Sequence, residues 1–186
     1  MYRLFVAMDL PEDVKDELHG LCRDFTVPGA RWVNIEQLHL TLRFIGDADE
    51  ELFQTIRNSL SLIKASQFNL HMEGTGRFPP RGAPHVLWVG LSDSSTLLRI
   101  HNQVEEAVQL AGIPSEKRPF SPHITLARLR DASPGAVNSF LERTKEFRTP
   151  LFTVSEFRLY SSTLTPKGAI HTCEAVYPLE LAETES

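Results

Sequence analysis

Apolar residues in this chain fall into two alternating periods. Residues 3–10, Arg-Leu-Phe-Val-Ala-Met-Asp-Leu, are nearly continuous in apolar side chains, which predicts a strand. Pro11 then marks a helix start, and Val14, Leu18, Leu21, Cys22 and Phe25 recur at helical spacing, so one face is buried. Arg31-Trp32-Val33 and the run from His39 to Gly46 read as short strands, the second ended by Gly46-Asp47. Helical spacing returns over 48–65 through Leu52, Ile56, Leu60 and Ile63. Strands over 68–74 and 85–91 flank a loop rich in Gly, Pro and Arg, GTGRFPPRGAP.

The second half follows the same order. A helix is predicted over about 94–112, with Leu97, Ile100, Val104, Val108 and Ala111 inward and Gly112 and Pro114 as its stop. The strand HITLARL follows, then a helix near 134–147 opened by Pro134, then strands in FTVSEFRLYSS and AIHTCEAVYPL. The tail ETES, residues 183–186, is expected to fray.

The recurrence extends to particular residues. His39-Leu40-Thr41-Leu42 reappears 84 positions later as His123-Ile124-Thr125-Leu126. The same offset carries Phe68-Asn69-Leu70 to Phe152-Thr153-Val154, and HVLW (85–88) to AIHT (169–172). FVAMDL followed by a helix also matches LWVGLS followed by a helix. These landmarks, in one order, support a duplicated unit, although identity outside the motifs is low.

Composition narrows the class. At 186 residues with 41% hydrophobic side chains, one domain or two small lobes sharing a core is expected. Cys22 and Cys173 stand far apart with no CxxC, which suggests a reducing compartment and argues against a disulfide scaffold or a thiolate zinc site. Asp9 breaks the first apolar run too early for a signal peptide, and no run approaches the roughly 18–20 apolar residues a bilayer span needs. A soluble cytoplasmic protein with no membrane partner is the expectation. The formal charge of −5 argues against a nonspecific nucleic-acid coat but leaves room for a local basic cleft.

On a strand, His39 and Thr41 share one face and Leu40 and Leu42 the other; His123 and Thr125 divide likewise from Ile124 and Leu126. If a pseudo-two-fold axis relates the halves, two imidazoles and two hydroxyls line one cleft. A neutral imidazole can take a proton from water while a charged one gives a proton to a leaving oxygen. The threonine hydroxyls could hold non-bridging phosphoryl oxygens, and no metal is needed when the leaving group sits in a strained cyclic phosphodiester. A lone His-x-Thr on a strand is more often packing; two copies in matching strands reverse that balance. Metal binding by the same histidines is the alternative, but neither motif has a neighbouring ligand at a spacing such as HExxH.

Two arginines are candidate phosphate-binding cations. Arg43, two past Thr41, shares the face of His39 if the strand stays regular; a salt bridge between lobes is the competing role. Arg128 and Arg130 have the opposite parity from His123, so a solvated face, a strand bend or substrate contact are all open. Arg118 could reach a cleft rim, and the loop carries Arg77, Phe78 and Arg81, a set suited either to a single-stranded RNA end or to plain connection. Trp32 is expected in the core rather than as a base platform. His19, His71, His85, His101 and His171 are expected to be structural or surface residues.

The paired motifs, HLTLRFIG and RPFSPHITLAR, resemble those of the 2H phosphoesterase superfamily, in particular its RNA 2′,3′-cyclic phosphodiesterase branch, historically termed 2′-5′ RNA ligase. RLFVAMDLP, RWV, VLWVGL and FRLYSS resemble that branch at matching places, so the likeness covers about 3–179. The resemblance implies a bilobal α+β fold, with an antiparallel sheet in each lobe, helices outside and the histidines in a central cleft. It implies one domain over 1–186 made of two interleaved pseudo-symmetric lobes. It further implies His39 as proton donor and His123 as proton acceptor in opening an RNA 2′,3′-cyclic phosphate to a 2′-phosphate, with reversible 2′-5′ ligation as the reverse reaction. Thr41 and Thr125 would bind the phosphate. No cofactor or metal is expected, and the partner is RNA bearing a cyclic phosphate end, acted on by a monomer. A small cyclic nucleotide, ADP-ribose cyclic phosphate, and a noncatalytic RNA- or nucleotide-binding role remain the alternatives.

Overall fold

The computed structural model describes residues 1–182, so the expectation for the tail at 183–186 lies outside the described residues. Its first half runs β1 (Tyr2–Asp9), α1 (Glu12–Arg23), β2 (Ala30–Trp32), β3 (His39–Ala48), α2 (Glu50–Leu60), β4 (Phe68–Leu70) and β5 (Met72–Phe78). The second half runs β6 (Val86–Leu91), α3 (Ser95–Leu110), β7 (Ile124–Leu129), α4 (Pro134–Thr144), β8 (Phe152–Val154), β9 (Glu156–Thr165) and β10 (Gly168–Pro178). The result is α+β, with four α-helices among the described residues and antiparallel pairing throughout the named ladders.

Two four-stranded sheets form, ordered β10-β9-β1-β3 and β2-β7-β6-β5. The halves exchange strands. β5, from the first half, pairs with β6, while β9, from the second half, pairs with β1. The exchange occurs where β4 and β8 pair with each other. There Asn69 lies opposite Thr153, its counterpart at the 84-residue offset, and the Thr153 hydroxyl donates to Asn69 Oδ1 at 2.9 Å. Two residues related by the repeat can face each other in this way only across a two-fold-like axis.

That exchange corrects several boundaries. Residues 68–74 and FTVSEFRLYSS, each expected as one strand, are each split, at His71 and Ser155, because the chain leaves the β4–β8 ladder there for a large sheet. GTG is not a loop: β5 runs through it to Phe78, and Gly76 is required because a Cβ there would sit 2.0 Å from the Trp88 ring. β3 also continues past Gly46, whose positive φ of 95° bends the strand without ending it. The match of HVLW to AIHT does not hold in space. β6 corresponds to β1, each lying between the motif strand and the exchanged strand, whereas β10 is an added edge.

Apolar residues from both sheets and all four helices form one buried cluster. β3 contributes Leu40 and Leu42, β7 Ile124 and Leu126, α1 Val14 and Leu18, α2 Phe53, Ile56 and Leu60, α3 Leu97, Ile100 and Val104, and α4 Val137 and Phe140. Their burial supplies the main driving force for the fold. Local signals set the helix starts: the side chains of Asp49, Ser94 and Ser133 accept from the backbone N–H of Leu52, Leu97 and Ala136. α3 stops at Gly112, which takes the left-handed φ of 97°. Among the described residues, no helix is long and apolar enough to cross a membrane.

Candidate active site

Both motif strands are bulged at the same place. Along β1 and β3, Met8 pairs with Leu40 and Ala7 with Thr41, but Val6 pairs with Arg43, leaving Leu42 as an extra residue. Along β6 and β7, Val89 pairs with Ile124 and Trp88 with Thr125, but Leu87 pairs with Ala127, leaving Leu126 extra. Each bulge sends two consecutive residues inward, Leu42 with Arg43 and Leu126 with Ala127. The residue after them, Phe44 or Arg128, then joins the face of the motif His and Thr. Phe44 is 62% exposed, and Arg128 is exposed.

This inverts the parity expected for the two arginines. Arg43 does not share the face of His39: it is 8% exposed, and its Nε donates to Glu105 Oε2 at 2.6 Å. It is an ion-pair partner of α3, and the expected phosphate contact is withdrawn for it. Arg128, expected on the opposite face from His123, is carried onto the same face.

The imidazoles are held alike. His39 Nδ1 lies 2.6 Å from the Gln37 carbonyl oxygen, and His123 Nδ1 lies 2.7 Å from the Ser121 carbonyl oxygen. A carbonyl only accepts, so each Nδ1 carries the proton and each Nε2 is left to exchange one. Gln37 and Ser121 are themselves 84 positions apart, so the tether is part of the repeat. Thr41 Oγ1 sits 3.0 Å from His39 Nε2 and donates to it when the ring is neutral. β3 and β7 lie in different sheets, and some of their Cα atoms approach within 8 Å.

The surroundings of the two rings differ. His39 lies over an aromatic floor: Phe5 is 5.2 Å away between ring centroids, His171 5.5 Å and Tyr160 6.4 Å. His123 meets Phe78 edge-on at 4.8 Å, with Trp88 at 6.4 Å. Burial lowers the His39 pKa to about 4; its bond to the Gln37 carbonyl and the Asp9 charge oppose this, while His171 and Lys15 reinforce it. In the free protein His39 is therefore neutral at pH 7.

A charged cluster adjoins His39. Lys15, 3% exposed, places Nζ 2.9 Å from Asp9 Oδ1; Arg158 Nη1 lies 3.3 Å from Asp9 Oδ2, and Arg158 Nε 2.8 Å from Glu156. Asp9, Lys15 and Arg158, with Gln37, Tyr160, His171 and Cys173, line a cavity of about 370 Å³ open to His39. A larger cavity, about 450 Å³, lies between α2 and β10 beside Arg57 and Tyr177 and holds no motif residue.

Asp9, Lys15, Arg158, Tyr160 and His171 are site neighbours that the sequence reading does not single out, and His171 is expected there to be structural or surface. A usable signal exists for three of them. Asp9 interrupts an otherwise apolar strand, and alternation in Glu156-Phe-Arg-Leu-Tyr puts Arg158 and Tyr160 on one face. Nothing local marks Lys15 or His171, which depend on α1 and β10 docking beside β3. Phe78 reaches His123, whereas Arg77 bonds the carbonyls of Pro80 and Gly82 within its own turn. Trp32 packs against Phe140 at 5.8 Å, and the exposed Arg118 lies 3.6 Å from Glu116. Among the described residues, no three His, Cys, Asp or Glu side chains gather as a metal site.

The family model of the 2′-5′ RNA ligase superfamily matches residues 2–165. The chain belongs to this superfamily. Among superfamily relatives, an RNA 2′,3′-cyclic phosphodiesterase of Archaeoglobus fulgidus is 33% identical over 170 residues, covering 91% of this chain and 96% of that protein. The crystal structure of TT0787 of Thermus thermophilus superposes with a TM-score of 0.79 at 30% identity, covering 97% and 100% of the two chains. Escherichia coli LigT complexed with 3′-AMP gives 0.78 at 27% identity, covering 96% and 98%.

Proposed function

We propose that the chain is an RNA 2′,3′-cyclic phosphodiesterase in which His39 and His123 carry the proton transfers. The observation that carries this reading is the doubled tether: two imidazoles, on bulged strands of a repeat, each with Nδ1 fixed on a carbonyl and Nε2 left to exchange a proton. Water loses a proton to His123 Nε2 as its oxygen bonds to phosphorus; the P–O3′ bond breaks, and O3′ takes the proton from His39 Nε2. The product is a 2′-phosphomonoester. With a 5′-hydroxyl in place of water, the same ring-opening gives a 2′-5′ phosphodiester, the hydroxyl proton passing to His123 and O3′ again taking one from His39. In this reading Thr41, Thr125 and the exposed Arg128 bind the phosphoryl oxygens, a role that Arg43, held by Glu105, does not share.

His39 is neutral in the free site, so the substrate must help load it. A phosphodiester anion within about 4–6 Å favours the charged imidazole and raises its pKa. The donor therefore becomes competent with substrate bound. The assignment to RNA follows the relatives' activity, and the two free cysteines suit a reducing, cytoplasmic setting. We further infer that residues 1–186 act as one domain of two interleaved lobes and as a monomer, because one chain supplies both motif strands. The test offers an oligoribonucleotide with a 2′,3′-cyclic phosphate end, beside a cyclic mononucleotide, in the presence of EDTA. Faster turnover of the oligomer to a 2′-phosphate is expected; turnover of the mononucleotide alone would move the substrate class, and loss of activity restored by a divalent ion would favour metal chemistry.

A further inference from the structure

Arg43 belongs to the first motif strand, yet its side chain runs to the segment that delivers the second motif. Between the end of α3 and His123 the chain has no regular secondary structure. Arg43 Nη2 donates to the Pro114 carbonyl at 2.5 Å, Nη1 to its neighbour Phe44's carbonyl at 2.6 Å, and Nε to Glu105. The other Glu105 oxygen accepts from the Glu116 backbone N–H at 2.9 Å, so one half-buried ion pair grips the segment at two points. Farther along, Phe120 stacks on His101 of α3 at 3.9 Å with an interplanar angle of 5°. One residue later, the Ser121 carbonyl accepts a hydrogen bond from His123 Nδ1–H at 2.7 Å.

We propose that Arg43 is a positioning residue for His123. The guanidinium fork fixes the path of residues 112–122, and that path sets the Ser121 carbonyl that orients the imidazole. The bulge beside Thr41 is what aims Arg43 away from the first motif's own face, so one irregularity exposes Phe44 and joins the two motifs. A planar fork whose donors are spread over three nitrogens suits this task, whereas lysine's three donors sit on one nitrogen and cannot span the same partners. The proposal rests on His123 acting as the proton acceptor.

Arg43→Met, Arg43→Lys and Glu105→Gln test it on the full chain. Arg43→Met is expected to lower kcat about 100-fold, the cost of an Ångström-scale displacement of a reacting group. KM for an RNA 2′,3′-cyclic phosphate end should stay within about threefold, because Arg43 does not touch substrate. Amide exchange over 112–122 should accelerate by about tenfold or more. Arg43→Lys should recover part of kcat, and Glu105→Gln should reproduce the loosening if Arg43→Met does not fold. Unchanged exchange in the segment, or unchanged kcat in a folded variant, would overturn the proposal. A raised KM with intact kcat would also overturn it, by making Arg43 a substrate contact. Absence of turnover by the unaltered chain would instead sink the phosphodiesterase reading, while exchange over 112–122 and the His123 ring titration by NMR would still decide whether Arg43 holds the segment.

Discussion

His39 is the residue on which free energy and chemistry meet. Its folded pKa of about 4 lies below the ordinary 6.5, so the unfolded chain binds more protons between those values. Its contribution to stability is complete above pH 6.5 and is lost as pH falls through about 4, by about 3 kcal/mol at 1.36 kcal/mol per unit. Burial lowers the pKa of His171 and His101 in the same direction. Urea unfolding of His39→Gln between pH 4 and 7 should therefore show a shallower, but not flat, loss of stability than the unaltered chain; an identical slope would contradict the burial argument. In catalysis, the limb set by the donor should stand at higher pH in kcat than in kcat/KM, since bound phosphate raises His39. The two limbs belong to the coupled pair of histidines. His39→Ala and His123→Ala should each lower kcat about 100- to 10,000-fold, the usual worth of a positioned acid or base.

At the scale of elements, the two bulges decide which side chains face the site. Strand alternation correctly separates His39 and Thr41 from Leu40 and Leu42, because no bulge intervenes before Thr41. It fails for Arg43 and Arg128 because each lies beyond the extra residue, and an inserted residue reverses parity for all that follow. Neither LTLRF nor ITLAR contains a glycine at the bulge, so no local residue announces it. The glycines of GTG are visible but suggest a loop. For Gly76 the cause lies in another strand, where the Trp88 ring fills the space above it, whereas Gly74 takes a positive φ of 67°. Gly76→Ala should cost about 1–3 kcal/mol by overpacking and should disturb His123 through Trp88. Thermal unfolding and kcat measured together would check this; a neutral effect on both would show that Trp88 moves freely.

Over the whole molecule, the repeat is the most legible feature, because offsets of 84 align the motifs, their carbonyl tethers and the β4–β8 pair. The exchange of β5 and β9 is not legible, since pairing between distant strands leaves no local mark. It has a consequence for folding: each large sheet needs a strand from both halves. The full chain should unfold in one transition with equal calorimetric and van't Hoff enthalpies, and residues 1–84 alone should not fold. Two separated transitions would contradict the interleaved arrangement. The central claim is that the paired Nε2 atoms open a cyclic phosphate, and it is tested most directly by identifying the product made from an oligoribonucleotide with a 2′,3′-cyclic phosphate end in EDTA. A 2′-phosphate end, formed by the unaltered chain and not by His39→Ala or His123→Ala, is the expected result. A 3′-phosphate end, or equal turnover by either variant, would contradict the account.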